Sequence, residues 1–247
     1  MAIVTVVSAK HAPGTTTLAM LLASVADPFS LPLVLEADPA GGDLAARTGS
    51  LFEPGMGSVV SAARQDRSHR ILEEHCRPLP SGVGVLVGAM APHRVEAYLG
   101  DSAEVLTELL QRRAGLAVVD AGRWGPASTS AWAAVSDLVV VAMRPAVDSA
   151  EHVAVRLDQI EAVAPRVGVA VIGEGPLSAV DVADIIERPV WSLPVDAALA
   201  KAVCEGAGGL EPFRRTPLWL AAETMLDELL NLIAYGQTRP PLRRISA

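Results

Sequence analysis

Short runs of β-branched and aliphatic residues recur along the chain with helix-length segments between them. This alternation constrains the fold more than any single motif. Ala2–Val7, Leu31–Glu36, Gly82–Gly88, Leu116–Asp120, Asp137–Met143, Val167–Ile172 and Val190–Leu193 read as strands. Helical segments are expected over about Thr16–Ala26, Val59–Arg64, Arg70–Cys76, Ser102–Arg113, Ser149–Val163 and Pro217–Tyr235. The strands are apolar at successive positions rather than alternate ones, so both of their faces must be buried. Strands of that kind, separated by helices, predict an α/β fold with a mainly parallel sheet covered by helices on both faces. Pro217 suits a first helical turn and Gly236 a helix exit. A single domain is therefore expected over residues 1–236. A flexible basic tail with Arg239, Arg243 and Arg244 is expected over 237–247. In such sheets ligands bind at the carboxyl ends of strands, so the informative residues are those just after strands.

Composition removes several classes of function. With 51% hydrophobic residues in a chain of 247, there is ample material for a large core, and general disorder is excluded. No apolar run approaches the roughly 18 residues that a membrane-spanning helix needs. The N-terminus lacks a basic segment before an apolar core, so the protein is expected to be cytoplasmic. The net charge of −8 argues against a broad nucleic-acid-coating surface. Cys76 and Cys204 provide neither a disulfide framework nor a paired metal motif, and the five histidines show no ligand spacing with them. Ser128-Thr129-Ser130 lacks the pattern of a nucleophile elbow.

The segment Ser8-Ala9-Lys10-His11-Ala12-Pro13-Gly14-Thr15-Thr16-Thr17 joins the first strand to the first helix. A helix N-terminus presents free N–H groups and the positive end of its dipole, which suits an anion. Thr16 is placed to offer a hydroxyl to magnesium. Against the standard phosphate-loop pattern, however, Ala9 stands where the first glycine belongs and Thr15 where the lysine belongs; only Gly14 and Thr16 fit. A plain strand–helix turn capped by threonine would account for the same residues. What separates the two readings is Lys10, one of only two lysines among the twenty basic residues.

With Lys10 included, the loop resembles the deviant phosphate loop of the MinD/ParA ATPases, Lys-Gly-Gly-x-Gly-Lys-Thr-Thr. Lys10 takes the signature lysine, Gly14 the third glycine and Thr16-Thr17 the final pair. His11 and Ala12 replace the other glycines, and Thr15 replaces the ordinary lysine. Further segments resemble the family in the same order. Leu33-Val34-Leu35-Glu36-Ala37-Asp38-Pro39 is similar to the strand ending in Asp-x-Asp-Pro, and Gly115–Gly122 to the Walker B strand. Val135–Pro145 is similar to the strand before a threonine-proline turn. Pro189–Asp196 is similar to the segment near the adenine base, followed by a similar helix over Leu199–Gly206. Taken singly, an Asp-Pro turn or a strand-end aspartate is common; the order carries the resemblance.

The resemblance implies a phosphate-loop nucleotide-binding fold of the MinD/ParA type, with ATP and magnesium as cofactors. It assigns Lys10, Ala12, Pro13, Gly14, Thr15, Thr16, Thr17 and Pro194 to the nucleotide. Thr16 and Asp120 would hold magnesium through water, and Lys10 and Asp38 would be catalytic, Lys10 by reaching across a dimer. The implied function is an ATP-dependent dimeric switch that positions a cellular assembly: partitioning, septum placement, or pilus or flagellum placement. Its partner would be an unidentified protein, with nucleic acid or membrane as a further contact. Thr15 and Gly173, where the family usually carries a lysine and an asparagine, imply slow or absent hydrolysis and weakened base recognition. One charge pair at ~4 Å and an effective dielectric near 20 is worth up to about 4 kcal/mol before screening, so a missing lysine matters. Arg123 and Arg144, each just after a strand, are candidates to compensate. The alternative is an interaction scaffold on the same fold that binds no nucleotide. A basic membrane-binding C-terminal helix is not expected, because Glu223, Asp227 and Glu228 lie on the polar face of the last helix.

Overall fold

The computed structural model describes residues 1–10, 13–66, 68, 70–113, 115–125 and 127–237. The expected loop residues His11 and Ala12, and the basic tail beyond Gln237, lie outside them. In chain order the elements are β1 (Ala2–Ser8), α1 (Thr15–Val25), β2 (Leu33–Glu36), α2 (Leu44–Arg47), α3 (Met56–Ala63) and α4 (Arg70–His75). They continue with β3 (Arg77–Pro78), β4 (Gly84–Leu86), α5 (Pro92–Gln111), β5 (Leu116–Arg123), α6 (Ala127–Val135) and β6 (Leu138–Met143). The last are α7 (Val147–Glu161), β7 (Val167–Ile172), α8 (Ala179–Ile186), β8 (Val190–Leu193), α9 (Ala197–Cys204) and α10 (Pro217–Gln237).

The strands form one sheet in the order β3-β4-β2-β5-β1-β6-β7-β8. Every pairing is parallel except that of β3 with β4. This is the expected α/β architecture. From β1 the chain runs to one edge through β2, β3 and β4, returns to insert β5 beside β1, and then runs to the other edge through β6, β7 and β8. The winding therefore reverses beside β1, where ligands bind in such folds at the carboxyl ends of the strands.

The apolar strands are explained by two cores. Ile3, Val7, Ala117 and Val119 face a layer with α3, α5, α6 and α7, whose Val60, Leu106, Trp132 and Val153 are fully buried. Val4, Val6, Leu116 and Val118 face the other layer, built from α1, α9 and α10. Met225 and Leu229 of α10 are fully buried there, so this helix docks on the core, as its apolar stripe predicts. Among the described residues, no helix is long and apolar enough to cross a membrane.

Several boundaries differ from the sequence reading. The helix expected from Ser102 begins at Pro92, which occupies its first turn. The strand expected from Leu31 starts at Leu33, because Leu31 adopts a left-handed φ of 49° after a short 3-10 turn. The Walker B-like strand runs on past Asp120 to Arg123. Helices α6 and α8 and the short antiparallel edge strand β3 were not expected. Their segments are short, and α6 is dominated by alanine and serine, with little apolar periodicity to find.

Candidate functional site

Gly14 ends the first loop with φ 109° and ψ 35° and caps α1. Side-chain-bearing residues avoid that conformation, so this is the loop position where glycine is required. Ala9 is buried and, like Lys10, has no positive φ, so the loop tolerates side chains there. The first hydrogen bond of α1 runs from Leu18 N to Gly14 O at 2.8 Å. The amides of the first turn therefore have no partners within the helix and open toward the end of the sheet.

Asp120 stands three residues before the end of β5, in register with Val6 of β1 and Glu36 of β2. Just beyond it the β1–β5 register slips by one residue, Ser8 pairing with Arg123. That bulge re-aims the strand end. The Asp120 side chain is fully buried. Its Oδ1 accepts a hydrogen bond from Gly122 N at 3.3 Å, while Oδ2 has no hydrogen-bond partner. Burial pushes its pKa up to about 7, with Asp38 and Glu36 adding repulsion; a hydrogen bond from the Thr16 hydroxyl and the Gly122 amide pull it down. A buried carboxylate with an unpaired oxygen beside a threonine hydroxyl is a donor set of the kind that suits a hard cation.

Asp38 follows β2 and packs onto the other side of that bulge. Gly122 (φ 65°) permits the contact: a Cβ there would come within 2.4 Å of both Asp38 carboxylate oxygens. Asp38 Oδ1 accepts from Ala40 N at 2.8 Å. Burial raises its pKa and Asp43 adds to the rise, while the Ala40 amide and the Arg123 charge lower it.

Glu36 stands where the Asp-x-Asp-Pro pattern has its first aspartate and keeps that charge on a longer side chain. It does something more specific. Its Oε1 accepts from Asp43 N at 2.6 Å and Leu44 N at 2.8 Å, and its Oε2 from Gly88 N at 2.8 Å. The longer side chain thus ties the loop after β2 to the end of β4. Gly42 and Gly88 leave room for it, since a Cβ on either would press against Glu36.

On the other side of the loop lies a cavity of about 370 Å³. Pro13, Gly14, Thr17, Gly173 and Pro194 line it, which brings the phosphate-loop residues and the expected base segment together. Its floor is apolar, from Leu18, Leu21, Leu193, Ala200 and Leu218, and Arg144, Glu174 and Asp196 supply its charged groups. A pocket of that size with an apolar floor and a few polar groups suits a small ligand. The floor draws on α1, α9 and α10, which sequence reading did not connect. Gly173 has φ 87° and its amide donates to Leu193 O at 2.8 Å.

Thr15 is buried at 7% exposure and does not line the cavity, so its side chain does not take the place of the missing lysine. Thr16 faces Asp120, and Thr17 Oγ1 accepts from Cys204 Sγ at 3.4 Å. Lys10 is exposed, and its Nζ lies 2.9 Å from His152 Nε2 on α7. His152 was not singled out by sequence; nothing in its neighbourhood in the chain links it to the loop.

These residues fit a magnesium-bound polyphosphate in three respects. The α1 amides face an anion site, the Asp120–Thr16 pair offers oxygen to a hard cation, and a ligand-sized cavity adjoins both. They depart from it at Thr15. Among the described residues no three acidic, histidine or cysteine side chains form a metal cage. A magnesium ion that keeps several waters does not require one.

No protein-family model matches the sequence, and a search of curated proteins finds no match to it. Solved structures do match in fold. A ParA-family ATPase from Chlorobium tepidum superposes with a TM-score of 0.77 at 14% identity, over 92% of this chain and 98% of that one. The septum site-determining protein MinD from Pyrococcus horikoshii, complexed with Mg-ADP, gives 0.76 at 16% identity over 94% and 98%. A chain of the MinC:MinD cell division protein complex of Aquifex aeolicus gives 0.73 at 15% over 99% of both chains. The chain has the phosphate-loop fold of the MinD/ParA ATPases.

Proposed function

We propose that this protein is a degenerate MinD/ParA-type switch that binds ATP with magnesium, dimerises around the nucleotide and positions a cellular assembly, with slow or absent hydrolysis. The observation that carries the reading is the orphan Asp120 Oδ2, fully buried beside Thr16 at the mouth of the α1 anion site. A buried carboxylate kept at that cost suits a protein whose working state includes a cation. In this reading the amides of Gly14–Thr17 hold phosphates, and Pro13 and Pro194 border the nucleotide. Thr16 and Asp120 hold the magnesium shell through water. Asp38 lies where it can respond to the ligand, being tied among the described residues to Ala40 N and in the field of Arg123. The bound metal would supply charge neutralisation at the phosphates. Lys10 would exchange its contact with His152 for the nucleotide of a second copy. The folds it shares include one solved with Mg-ADP and one bound to a partner, MinC, which supports a nucleotide and a protein partner here.

Thr15 favours a second reading, a scaffold without a nucleotide cycle, because charge stabilisation is most of what a protein adds to phosphoryl transfer. Calorimetric titration of ATP and ADP with magnesium separates the two, with molecular mass measured in the same samples. Micromolar binding and an ATP-dependent dimer, both lost in Asp120→Ala and the dimer alone lost in Lys10→Ala, support the switch. No binding at millimolar nucleotide rejects it and leaves the scaffold.

A further inference from the structure

Among the described residues, Lys10, Arg123 and Arg144 are cations near the candidate site, and they differ in what already engages them. Lys10 is in contact with His152 of α7. Arg123 acts on Asp38, whose pKa its charge lowers, on the far side of the β5 bulge. Arg144 is different. It follows the last residue of β6 and lines the cavity together with Gly14 and Thr17. Among the described residues its guanidinium makes no ion pair or side-chain hydrogen bond.

The backbone beneath Arg144 is held on both sides. Met143 is paired with Val171 of β7. Arg144 O accepts from Ala146 N at 2.8 Å, and the buried Pro145 accepts from Leu177 N at 3.3 Å. The guanidinium is thus a free charge on a fixed mount. The other charged groups of the cavity are Glu174 and Asp196. Asp196 is partly satisfied by the α9 amides, accepting from Ala198 N at 3.1 Å and Leu199 N at 3.0 Å. Without Arg144 the cavity wall would be anionic, and the partial charge of one helix end would face a polyphosphate alone.

We propose that Arg144 binds the phosphates of the nucleotide, supplying from the end of β6 the charge that Thr15 does not supply from the loop. This rests on the nucleotide-binding reading above and names the residue on which its affinity depends. An arginine suits the task because its planar fork can donate two parallel hydrogen bonds to phosphate oxygens, and it keeps its charge at any working pH. Arg144 would approach the phosphates from the cavity wall that it lines. The site would then favour binding over the close charge neutralisation that turnover needs.

The test is calorimetric titration of the full chain with magnesium-ATP and, separately, adenosine, for wild type, Arg144→Ala, Arg144→Lys and the double variant Thr15→Lys/Arg144→Ala. Arg144→Ala should weaken ATP binding by about ten-fold or more, the size of a lost charged hydrogen bond, and leave adenosine unchanged. It should also flatten the salt dependence of ATP affinity. Arg144→Lys should recover part of the loss, and Thr15→Lys should restore it by returning the charge to the loop. Arg144 is exposed, so its removal leaves the fold intact. Wild-type ATP affinity in Arg144→Ala, or equal loss of ATP and adenosine, overturns the assignment alone. Failure of the wild type to bind either ligand overturns the nucleotide-binding reading and the assignment with it.

Discussion

Replacing Asp120 by asparagine should make the ligand-free protein more stable while removing its response to magnesium and nucleotide. The wild-type carboxyl has its pKa pushed from an ordinary 3.8 to about 7, first by burial and then by Asp38 and Glu36. At about 1.36 kcal/mol per pH unit, that rise means ionised Asp120 costs the native state about 4 kcal/mol at pH 8. The direction follows from proton counting. Between the unfolded and folded pKa values the native state binds more protons than the unfolded one, so wild-type stability falls as pH rises through that window and levels off above about pH 7. Asparagine keeps the acceptor for Gly122 N and does not ionise. Its gain should be about 2–4 kcal/mol at pH 8 and should shrink to at most about 2 at pH 5. For a chain of this size the larger figure is a rise in Tm on the order of 10 °C.

The assay is urea unfolding in EDTA at pH 8 and pH 5, repeated at pH 8 with magnesium and ATP. The wild type should be stabilised by the ligands and the variant should not, so their order of stability should narrow or invert. If Asp120→Asn is less stable than wild type in EDTA at pH 8, the carboxylate is not the uncompensated charge inferred here. A gain that does not change between pH 8 and pH 5 would refute the electrostatic cause even if its sign were right.

Removing Glu36 should do the opposite. Glu36→Ala strands the amides of Asp43, Leu44 and Gly88 and should lose on the order of 3–5 kcal/mol by urea unfolding, with Glu36→Gln losing less. Stability within about 1 kcal/mol of wild type would mean that water replaces the carboxylate. Gly14→Ala, forcing a side chain to φ 109°, should cost about 1–2 kcal/mol and abolish ATP binding; an unchanged titration would show that the loop is remade on binding. Met225→Ala should destabilise by about 2–5 kcal/mol in chemical unfolding, because the side chain is fully buried where α10 meets the core. A loss under 1 kcal/mol would mean that α10 is only loosely attached.

The parallel sheet was legible because its strands are apolar at consecutive positions, a local property that survives without coordinates. The order of the site was legible for a related reason: parallel strands all present their ends to one side, so Asp38, Asp120 and Gly173 had to lie near the first loop. What the sequence hid is long-range or weakly patterned. The Gly88 amide that Glu36 holds is 52 residues away. Ala200 and Leu218 reach the cavity floor only because α9 and α10 fold back over α1. The first half of α5 carries only Val95, Tyr98 and Leu99 at helical spacing, all buried, and His93, Arg94, Glu96 and Gly100 around them dilute that signal.

The departures from the usual motif become coherent once placed in space. Three carboxylates, Glu36, Asp38 and Asp120, converge at the ends of β2 and β5, and each of the three has its pKa raised. Glu36 spends its charge on backbone amides, so it fixes the loop rather than waiting for a ligand. Asp120 keeps an oxygen open and Asp38 is lightly tethered. A protein that had lost all need for a cation would gain stability by neutralising Asp120 or pairing Oδ2 with a donor, since one substitution suffices. A protein that hydrolysed nucleotide quickly would be expected to hold a cation within the loop itself, where Thr15 stands buried. On the proposed reading, the open carboxylate and the absent lysine together suit holding a magnesium polyphosphate more than cleaving it.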